Sequence, residues 1–280
     1  MKFDILIRNG LVIDGTGSPA READVGITGD SFAQIGMLRN STAREVVDAK
    51  GKVVCPGFVD IHGHSDYFIL IEPGAPNKLR QGVTSEVGGN CGYSAAPISG
   101  SLNDERGESL DRNFGLRPDW LNLREYYERL GKIKPALNFG ILVGHNTIRA
   151  SVMGGENRPP SQGEMQAMVE MVRDGMADGA LGISTGLIYP PGCFADSEEL
   201  ARLCEPAREG FFAAHMRSEG KDLLPAIEEV IGAASKARIR LQISHLKTSG
   251  PKNWHKMDDA ISMMEKARAG GLDVRCDRYP

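Results

Sequence analysis

Hydrophobic and polar positions follow two different patterns along this 280-residue chain, and the pattern changes at Pro56. Before Pro56, short runs of Ile, Leu and Val alternate with turn-forming residues such as Asp14-Gly15. Aliphatic runs bounded by turn residues are typical of strands. We therefore predict a small all-β unit over residues 1–55.

After Pro56, short apolar runs alternate with longer segments whose apolar residues recur at helical spacing. This alternation is typical of parallel βα units. The predicted strands lie at about residues 58–62, 83–90, 138–144, 180–185, 211–214, 240–244 and 272–276. The predicted helices cover residues 123–130, 162–177, 223–237 and 258–269, with a further helix after Asp196.

The number of βα units bears on the fold of residues 56–280. At about 30 residues per unit these 225 residues supply about seven units, whereas a closed (β/α)8 barrel has eight. The chain stops at Pro280, directly after the seventh predicted strand. We expect an α/β fold, a TIM-like barrel truncated after its seventh strand. Residues 93–118, rich in Gly, Ser, Asn and Pro, are expected to form a long loop.

Composition limits the classes of binding partner and the cellular compartment that we expect for the chain. Hydrophobic residues make up 41% and charged residues 25%, as in ordinary globular chains. A net charge of -4 without a basic block argues against nucleic acid. The N-terminal apolar run contains Asp4, unlike a signal peptide, and no run is long enough to span a membrane. Five scattered cysteines without a CxxC pair favour a reducing compartment. We expect a soluble cytoplasmic protein with no membrane or nucleic-acid partner.

Histidines are concentrated where predicted strands end. Five of the six occupy such positions, namely His62, His64, His145, His215 and His245. In a parallel barrel these strand ends share the face that carries the active site. His62 precedes Cys91 by 29 residues and His215 precedes His245 by 30, each about one βα unit. We therefore expect these side chains to converge.

The His62-Gly63-His64 sequence is the first candidate metal motif. Residues at i and i+2 of an extended segment point to the same side, and Gly63 lets the backbone approach closely. An HxH pair alone is weak evidence for a metal site, but three further candidate donors strengthen it, namely Cys91, His215 and His245. Nitrogen and thiolate ligands favour zinc over hard cations. A buried apolar role for Cys91 and a core role for His215 and His245 remain the alternatives.

Several motifs together resemble a known family. In chain order they are Asp60-Ile61-His62-Gly63-His64-Ser65-Asp66, Gly89-Asn90-Cys91-Gly92, Ser184-Thr185-Gly186-Leu187-Ile188-Tyr189-Pro190-Pro191, His215-Met216-Arg217-Ser218-Glu219, Ser244-His245-Leu246-Lys247 and Asp277-Arg278-Tyr279-Pro280. Their combination is similar to the N-acyl-D-amino-acid deacylases (D-aminoacylases) of the amidohydrolase superfamily, over the whole chain. The HxH pair alone would indicate only the superfamily.

The resemblance implies a fold and a function. The fold would be a (β/α)8 barrel beside a small β-sandwich whose N-terminal half is residues 1–55. The activity would be zinc-dependent hydrolysis of N-acyl-D-amino acids to a D-amino acid and a carboxylate. Many superfamily members have a carboxylated lysine at the end of the fourth strand, where this chain has Ser184-Thr185-Gly186. A cyclic-amide hydrolase of the hydantoinase or dihydroorotase type is the enzymatic alternative, and a non-catalytic barrel scaffold is the other.

The resemblance also assigns the metal ligands. It implies one tight zinc site and a weaker second position that share one ligand. The tight site would be Cys91, His215 and His245, and the second position would be His62, His64 and Cys91. The family's catalytic Asp, the general acid and base, would lie beyond Pro280.

Substrate-binding candidates follow from the reaction. Zinc acidifies a bound water and polarises the amide carbonyl, while the free carboxylate of the substrate needs a cation. Lys247, two residues after His245, is the first candidate, and Tyr189 and Tyr279 are candidates in the same pocket. A surface charge for Lys247 and simple packing for Tyr189 remain alternatives.

Two further residues are candidates for orienting a metal ligand from behind or, in the case of His145, for hydrogen bonding to the substrate. They are Asp66, next to the HxH pair, and His145, at a strand end. Helix capping by Asp66 and a structural role for His145 explain these positions equally well.

Overall fold

The aliphatic runs of the N-terminal segment form one five-stranded sheet. Its strands are β1 (Lys2–Val12), β2 (Arg21–Thr28), β3 (Ser31–Gly36), β4 (Thr42–Asp48) and β5 (Val53–Val54). The order is β3-β2-β1-β4, and β5 also pairs with β1. The neighbours β1 and β2 run antiparallel, as do β2 and β3, whereas β4 and β5 run parallel to β1.

The computed structural model describes residues 1–279, except for the side chains of residues 101–106. The chain divides into two compact units, Met1–Phe58 and the residues from Val59 onward. The first unit buries only small apolar clusters, which are Phe3, Leu6 and Leu38 in one and Val12, Ala23 and Val25 in the other.

The second unit is built on sheets of parallel strands. The strands of this region are β6 (Phe58–Asp60), β7 (Val83–Gly88), β8 (Asn138–Ile141), β9 (Val143–Gly144), β10 (Gly182–Gly186), β11 (Phe211–His215), β12 (Arg240–Ile243) and β13 (Val274–Cys276). One sheet has the order β6-β7-β8 and the other β13-β12-β11-β10-β9. Pairing is parallel between β7 and β8 and throughout the larger sheet. All seven segments predicted as strands overlap these elements.

The helices of the second unit come between the strands. They are α1 (Phe68–Ile71), α2 (Pro76–Leu79), α3 (Ser101–Phe114), α4 (Leu123–Ile133), α5 (His145–Met153), α6 (Gln162–Ala177), α7 (Ser197–Cys204), α8 (Leu223–Ala237) and α9 (Met257–Ala269). Short 3-10 turns cover Gly192–Phe194, Glu205–Ala207 and Pro251–Lys256. Ser161 forms a capping box with Glu164 at the start of α6. Among the described residues, no helix has both the length and the apolar character needed to cross a membrane.

Four helices were not predicted from the sequence: the short helices α1 and α2, and the longer α3 and α5. The segment 93–118, predicted as a loop, contains α3, whose polar sequence has too few apolar residues to show a helical period. Helix α5 begins directly at His145, where Asn146 and Thr147 have low intrinsic helix propensity. Their tertiary contacts, which the sequence pattern does not show, outweigh that propensity.

Buried aromatic side chains anchor the loops after β6 and β7. The indole of Trp120 donates to the carbonyl of Ala95 at 2.9 Å, and the hydroxyl of Tyr126 donates to the carbonyl of Asp66 at 2.6 Å. Trp120 and Tyr126 are themselves fully buried and pack edge to face at 5.5 Å. The loops that carry the candidate ligands are therefore tied to the core.

Candidate metal centre

The loop after β6 holds the two histidines of the HxH motif against β7. The backbone N–H of Gly63 donates to the carbonyl of Val87 at 2.9 Å. The side-chain amide of Asn90 donates to the same carbonyl at 2.9 Å and approaches those of Ile61 and Gly63 at 3.3 and 3.4 Å. These hydrogen bonds fix the backbone between His62 and His64.

Cys91 lies at the centre of the candidate site. Its Sγ is 3.3 Å from Nε2 of His62 and 3.5 Å from Nε2 of His245. Cys91 and His245 both have left-handed backbone, with φ values of 53° and 36°. Left-handed backbone is unfavourable for these residue types, and such strain is concentrated at functional sites. The tertiary contacts of the fold must therefore maintain this strained backbone, which brings the side chains of Cys91 and His245 close together.

Two overlapping triads have the spacing of metal ligands. In each triad the candidate ligand atoms lie within 4.8 Å of one another. The triads are His62, His64 and Cys91, and Cys91, His215 and His245. Cys91 belongs to both, so the structure brings the five predicted ligands into one cluster that shares a single thiol.

His215 provides a test of whether the cluster fits a metal. Both of its ring nitrogens are buried, and within the described part of the chain neither has a hydrogen-bond partner. The nearest carboxylate oxygen, Oε1 of Glu219, is 3.7 Å from Nε2. A buried imidazole without partners is costly unless another group satisfies it. Imidazole and thiol donors are those that zinc prefers, so the residues present fit this metal.

The charge states of the ligands agree with this fit. Burial and the neighbouring His245 lower the pKa of His215 to about 4, and burial also lowers the pKa of His64. These imidazoles are therefore neutral and able to donate a lone pair near pH 7. Burial, with Asp277 and Glu219 nearby, raises the pKa of the Cys91 thiol to about 12. Metal binding would have to displace that proton, as it does in thiolate sites generally.

Two carboxylates lie behind the histidines on the side away from the thiol. Oδ1 of Asp277 is 3.1 Å from Nδ1 of His62, and Oε1 of Glu219 is 3.0 Å from Nδ1 of His245. A carboxylate on the second ring nitrogen fixes the tautomer and orientation of a ligand imidazole. Burial alone would raise the pKa of Glu219, but hydrogen bonds from His245 and Lys247 outweigh it and lower the pKa to about 2. Both carboxylates are therefore ionised.

The sequence predictions did not assign a role to Asp277 or Glu219. Asp277 follows β13 directly, so the rule that active-site residues follow strand ends could have identified it. Glu219 lies in the loop after β11, four residues beyond His215, and its spacing carries no comparable signal.

The predicted substrate-binding residues lie at the edge of the cluster. Nζ of Lys247 pairs with the carboxylate of Glu219, is 2.9 Å from Nδ1 of His245, and is 5.1 Å from the ring centroid of Tyr279. The Tyr279 ring stacks on His245 at 5.7 Å, and the Tyr189 ring meets His215 at 4.9 Å. Tyr189 and Tyr279 are 40% and 60% exposed, so both are accessible from solvent.

His145, predicted to orient a ligand or substrate, is engaged elsewhere. Its Nδ1 lies 3.0 Å from the hydroxyl of Thr185, and its Nε2 lies 2.8 Å from Oε1 of Glu199. The guanidinium of Arg149 also binds that oxygen, at 3.0 Å. Both ring nitrogens of His145 are thus occupied by a buried polar network, so neither is available to orient a metal ligand or to bind the substrate.

Asp66, the other candidate for orienting a ligand, is 5% exposed and faces the loop after β7. Burial raises the pKa of its carboxyl to about 7, although hydrogen bonds from the backbone amides of Gly89 and Ala95 act in the opposite direction. These contacts are with backbone rather than with an imidazole.

Comparison with known proteins places the chain in a family. Residues 45–277 match the amidohydrolase family, and the chain belongs to it. It is 38% identical to D-aminoacylase of Alcaligenes xylosoxydans xylosoxydans over 99% of its own length and 57% of that protein. It is 39% identical to N-acyl-D-glutamate deacylase of the same organism, over 100% of its own length and 57% of the relative's. The chain thus spans little more than half the length of these curated relatives.

Solved structures give the same relationship. A crystal structure of D-aminoacylase superposes with a TM-score of 0.92 at 40% identity, over 99% of this chain and 58% of that one. N-acyl-D-glutamate deacylase of Bordetella bronchiseptica, complexed with zinc and a phosphonate inhibitor, gives a TM-score of 0.92 at 36% identity, over 100% and 59%. L-hydantoinase of Arthrobacter aurescens, at 16% identity and a TM-score of 0.62, shares the fold.

Proposed function

We propose that this chain carries the metal centre of a zinc-dependent hydrolase that cleaves N-acyl-D-amino acids to a D-amino acid and a carboxylate. The observation that carries the proposal is the thiol of Cys91, which is common to both ligand triads. Two relatives support the substrate class, since one is a D-aminoacylase and the other an N-acyl-D-glutamate deacylase.

The cluster has donors for one tight zinc and for a second, weaker position. We assign the tight site to the more buried triad of Cys91, His215 and His245, and the second position to His62 and His64 with Cys91. When bound, zinc would lower the pKa of a water molecule and polarise the amide carbonyl of the substrate. Asp277 and Glu219 would hold His62 and His245 in the orientation that presents Nε2 to the metal.

The residues at the rim of the cluster have the chemistry to bind the substrate. Lys247 has three ammonium donors, and its contacts with Glu219 and with Nδ1 of His245 use at most two, so at least one donor remains for the substrate carboxylate. Tyr279 lies beside this ammonium and would offer a hydroxyl to the same carboxylate. Tyr189, against His215, would donate a hydrogen bond from its hydroxyl to the amide carbonyl oxygen of the substrate, which gains negative charge during the reaction.

The architecture in this proposal is a (β/α)8 barrel that includes the parallel strands of the second unit, with the N-terminal sheet as part of a β-sandwich. All five cysteines are unpaired, which supports a reducing, cytoplasmic setting. The structural similarity to L-hydantoinase supports the fold, but it does not support a cyclic-amide substrate, because the sequence identity is only 16%. The absence of a lysine at the end of β10, which is Gly182–Gly186, also favours the thiol-bridged arrangement.

The test of this function is a substrate panel on the zinc-loaded full-length protein, which includes the general acid and base expected beyond Pro280. It contains N-acetyl-D-amino acids, their L-enantiomers and hydantoins, and release of amino acid is measured. We expect hydrolysis of the D series. Cys91→Ala should abolish it, whereas the control Cys55→Ala, an exposed cysteine of the N-terminal unit, should not. Preference for the L series or for the rings would refute the proposal.

A further inference from the structure

A partly buried ionic group lies next to the HxH loop. Lys78, on α2, places its Nζ 2.5 Å from Oδ2 of Asp60 at the end of β6 and 3.4 Å from Oε2 of Glu86 on β7. The side chains of Lys78, Asp60 and Glu86 are 17%, 28% and 1% exposed. One cation therefore pairs with two carboxylates from adjacent strands, of which Glu86 is buried.

Both carboxylates contact the loop that carries the histidine ligands. Oδ1 of Asp60 accepts the backbone N–H of His62 at 3.1 Å. On the other side, Glu86 fills the space next to Gly63, where a Cβ would lie 1.9 Å from Oε1. The loop is thus held by Asp60 before the first histidine and supported by Glu86 between the two.

The charge balance of this group depends on Lys78. Among the described side chains, the oxygens of Glu86 have no hydrogen-bond donor, and its ion pair is with Lys78. A buried carboxylate without a counter-charge is strongly unfavourable, so it moves or draws in water. Loss of Lys78 would also leave Asp60 and Glu86 as two uncompensated negative charges. Either response displaces groups that touch His62 and Gly63.

The other triad does not rest on this group. His215 ends β11, His245 follows β12, and Glu219 supports His245 from behind. Disturbing the ionic group should therefore affect one metal position much more than the other.

We propose that Lys78 is a positioning residue that sets the affinity of the His62–His64 metal position without touching the metal. The inference rests on the metal centre of the proposed function, and it is independent of the substrate. Removal of groups that orient metal ligands typically costs 10–100-fold in metal affinity.

Zinc binding to the full chain tests this role. Titration by calorimetry or equilibrium dialysis is compared for wild type, Lys78→Met, Lys78→Arg and the control Lys236→Met, which removes an exposed ion pair with Glu198. Lys78→Met should weaken the second zinc by about 10–100-fold and leave the first within about threefold. Lys78→Arg should recover most of the loss, because it keeps the charge, and Lys236→Met should match wild type.

A double substitution assigns the effect to its site. Since His64→Ala removes a ligand of the second position, Lys78→Met should change zinc binding by less than about twofold in that background. Equal weakening of both zinc positions, or no weakening of either, would overturn the proposal. Binding of a single zinc by the wild-type protein would also overturn the proposal. That result would still be compatible with a hydrolase that uses one zinc. Two zinc positions with the predicted Lys78 dependence but no hydrolysis by the full-length protein would refute the proposed function and leave this inference standing.

Discussion

Oδ1 of Asp277 lies 3.1 Å from Nδ1 of His62 and also accepts the backbone N–H of His245, at 2.8 Å. One carboxylate oxygen at the end of β13 therefore connects a histidine of each candidate triad. Gln242 donates to the second oxygen at 2.8 Å. Burial would raise the pKa of Asp277, but these hydrogen bonds outweigh it and lower the pKa, so the group is anionic near neutral pH.

Asp277→Asn is expected to weaken zinc binding at the second position by about 10–100-fold, because the negative charge behind His62 is lost while the shape is kept. The measurement is competition with a chelator of known zinc affinity. The matched control is Asp273→Asn, which removes a largely exposed ion pair with Arg275 on the same strand segment. Wild-type affinity in the Asp277 variant would show that the carboxylate does not orient His62.

Cys91→Ala in the full-length protein is expected to lose most bound zinc and nearly all activity, because the thiol is common to both triads. The zinc content of the purified protein is measured by atomic spectroscopy, with Cys55→Ala as the control. Near-normal metal content together with near-normal turnover would contradict the shared-ligand assignment.

Gly63→Ala is expected to disrupt the HxH loop, because the new methyl group would overlap the carboxylate of Glu86. We expect weaker zinc binding at the second position with an otherwise folded chain. The control is Gly131→Ala in α4, where a Cβ meets nothing within 4 Å. Removing an exposed helix glycine should raise the free energy of unfolding by about 0.5–1 kcal/mol. Unchanged zinc binding in Gly63→Ala would mean that Glu86 can move without cost to the loop.

Zinc removal is expected to lower the stability of the protein, since the ligands come from elements far apart in sequence. With free zinc at about 100 times the dissociation constant, the free energy of unfolding should exceed that of the chelated protein by about 2.7 kcal/mol. Denaturant unfolding with and without chelator measures the difference. Cys91→Ala should show almost none of it. If chelation lowered the free energy of unfolding of this variant as much as that of wild type, the stabilising metal would be bound at another site.

The positions of the ligands could be predicted from the sequence because hydrophobic periodicity locates strand ends. His215 ends β11, and Cys91 and His245 follow β7 and β12 closely, so fixed spacing and parallel topology brought them to one place. The seven strand segments were predictable for the same reason. Helix α3 was not, since its polar residues carry no periodic signal.

The direction of each side chain could not be predicted in this way. His145 also follows a strand, but Thr185 and Glu199 take both of its ring nitrogens, and the sequence does not show which partners tertiary packing supplies. The ionic group of Lys78, Asp60 and Glu86 was missed for a related reason. Its members lie on three different elements, and charged residues in such positions are usually solvated.

The stereochemistry of hydrolysis of a racemic N-acetyl-amino acid by the zinc-loaded full-length protein tests the proposed function most directly. We predict that the reaction stops when half of the substrate is consumed, that chiral chromatography finds only the D-amino acid as released product, and that the remaining substrate is the L-enantiomer. Release of the L-amino acid, equal release of both enantiomers, or no release at full zinc occupancy would contradict it.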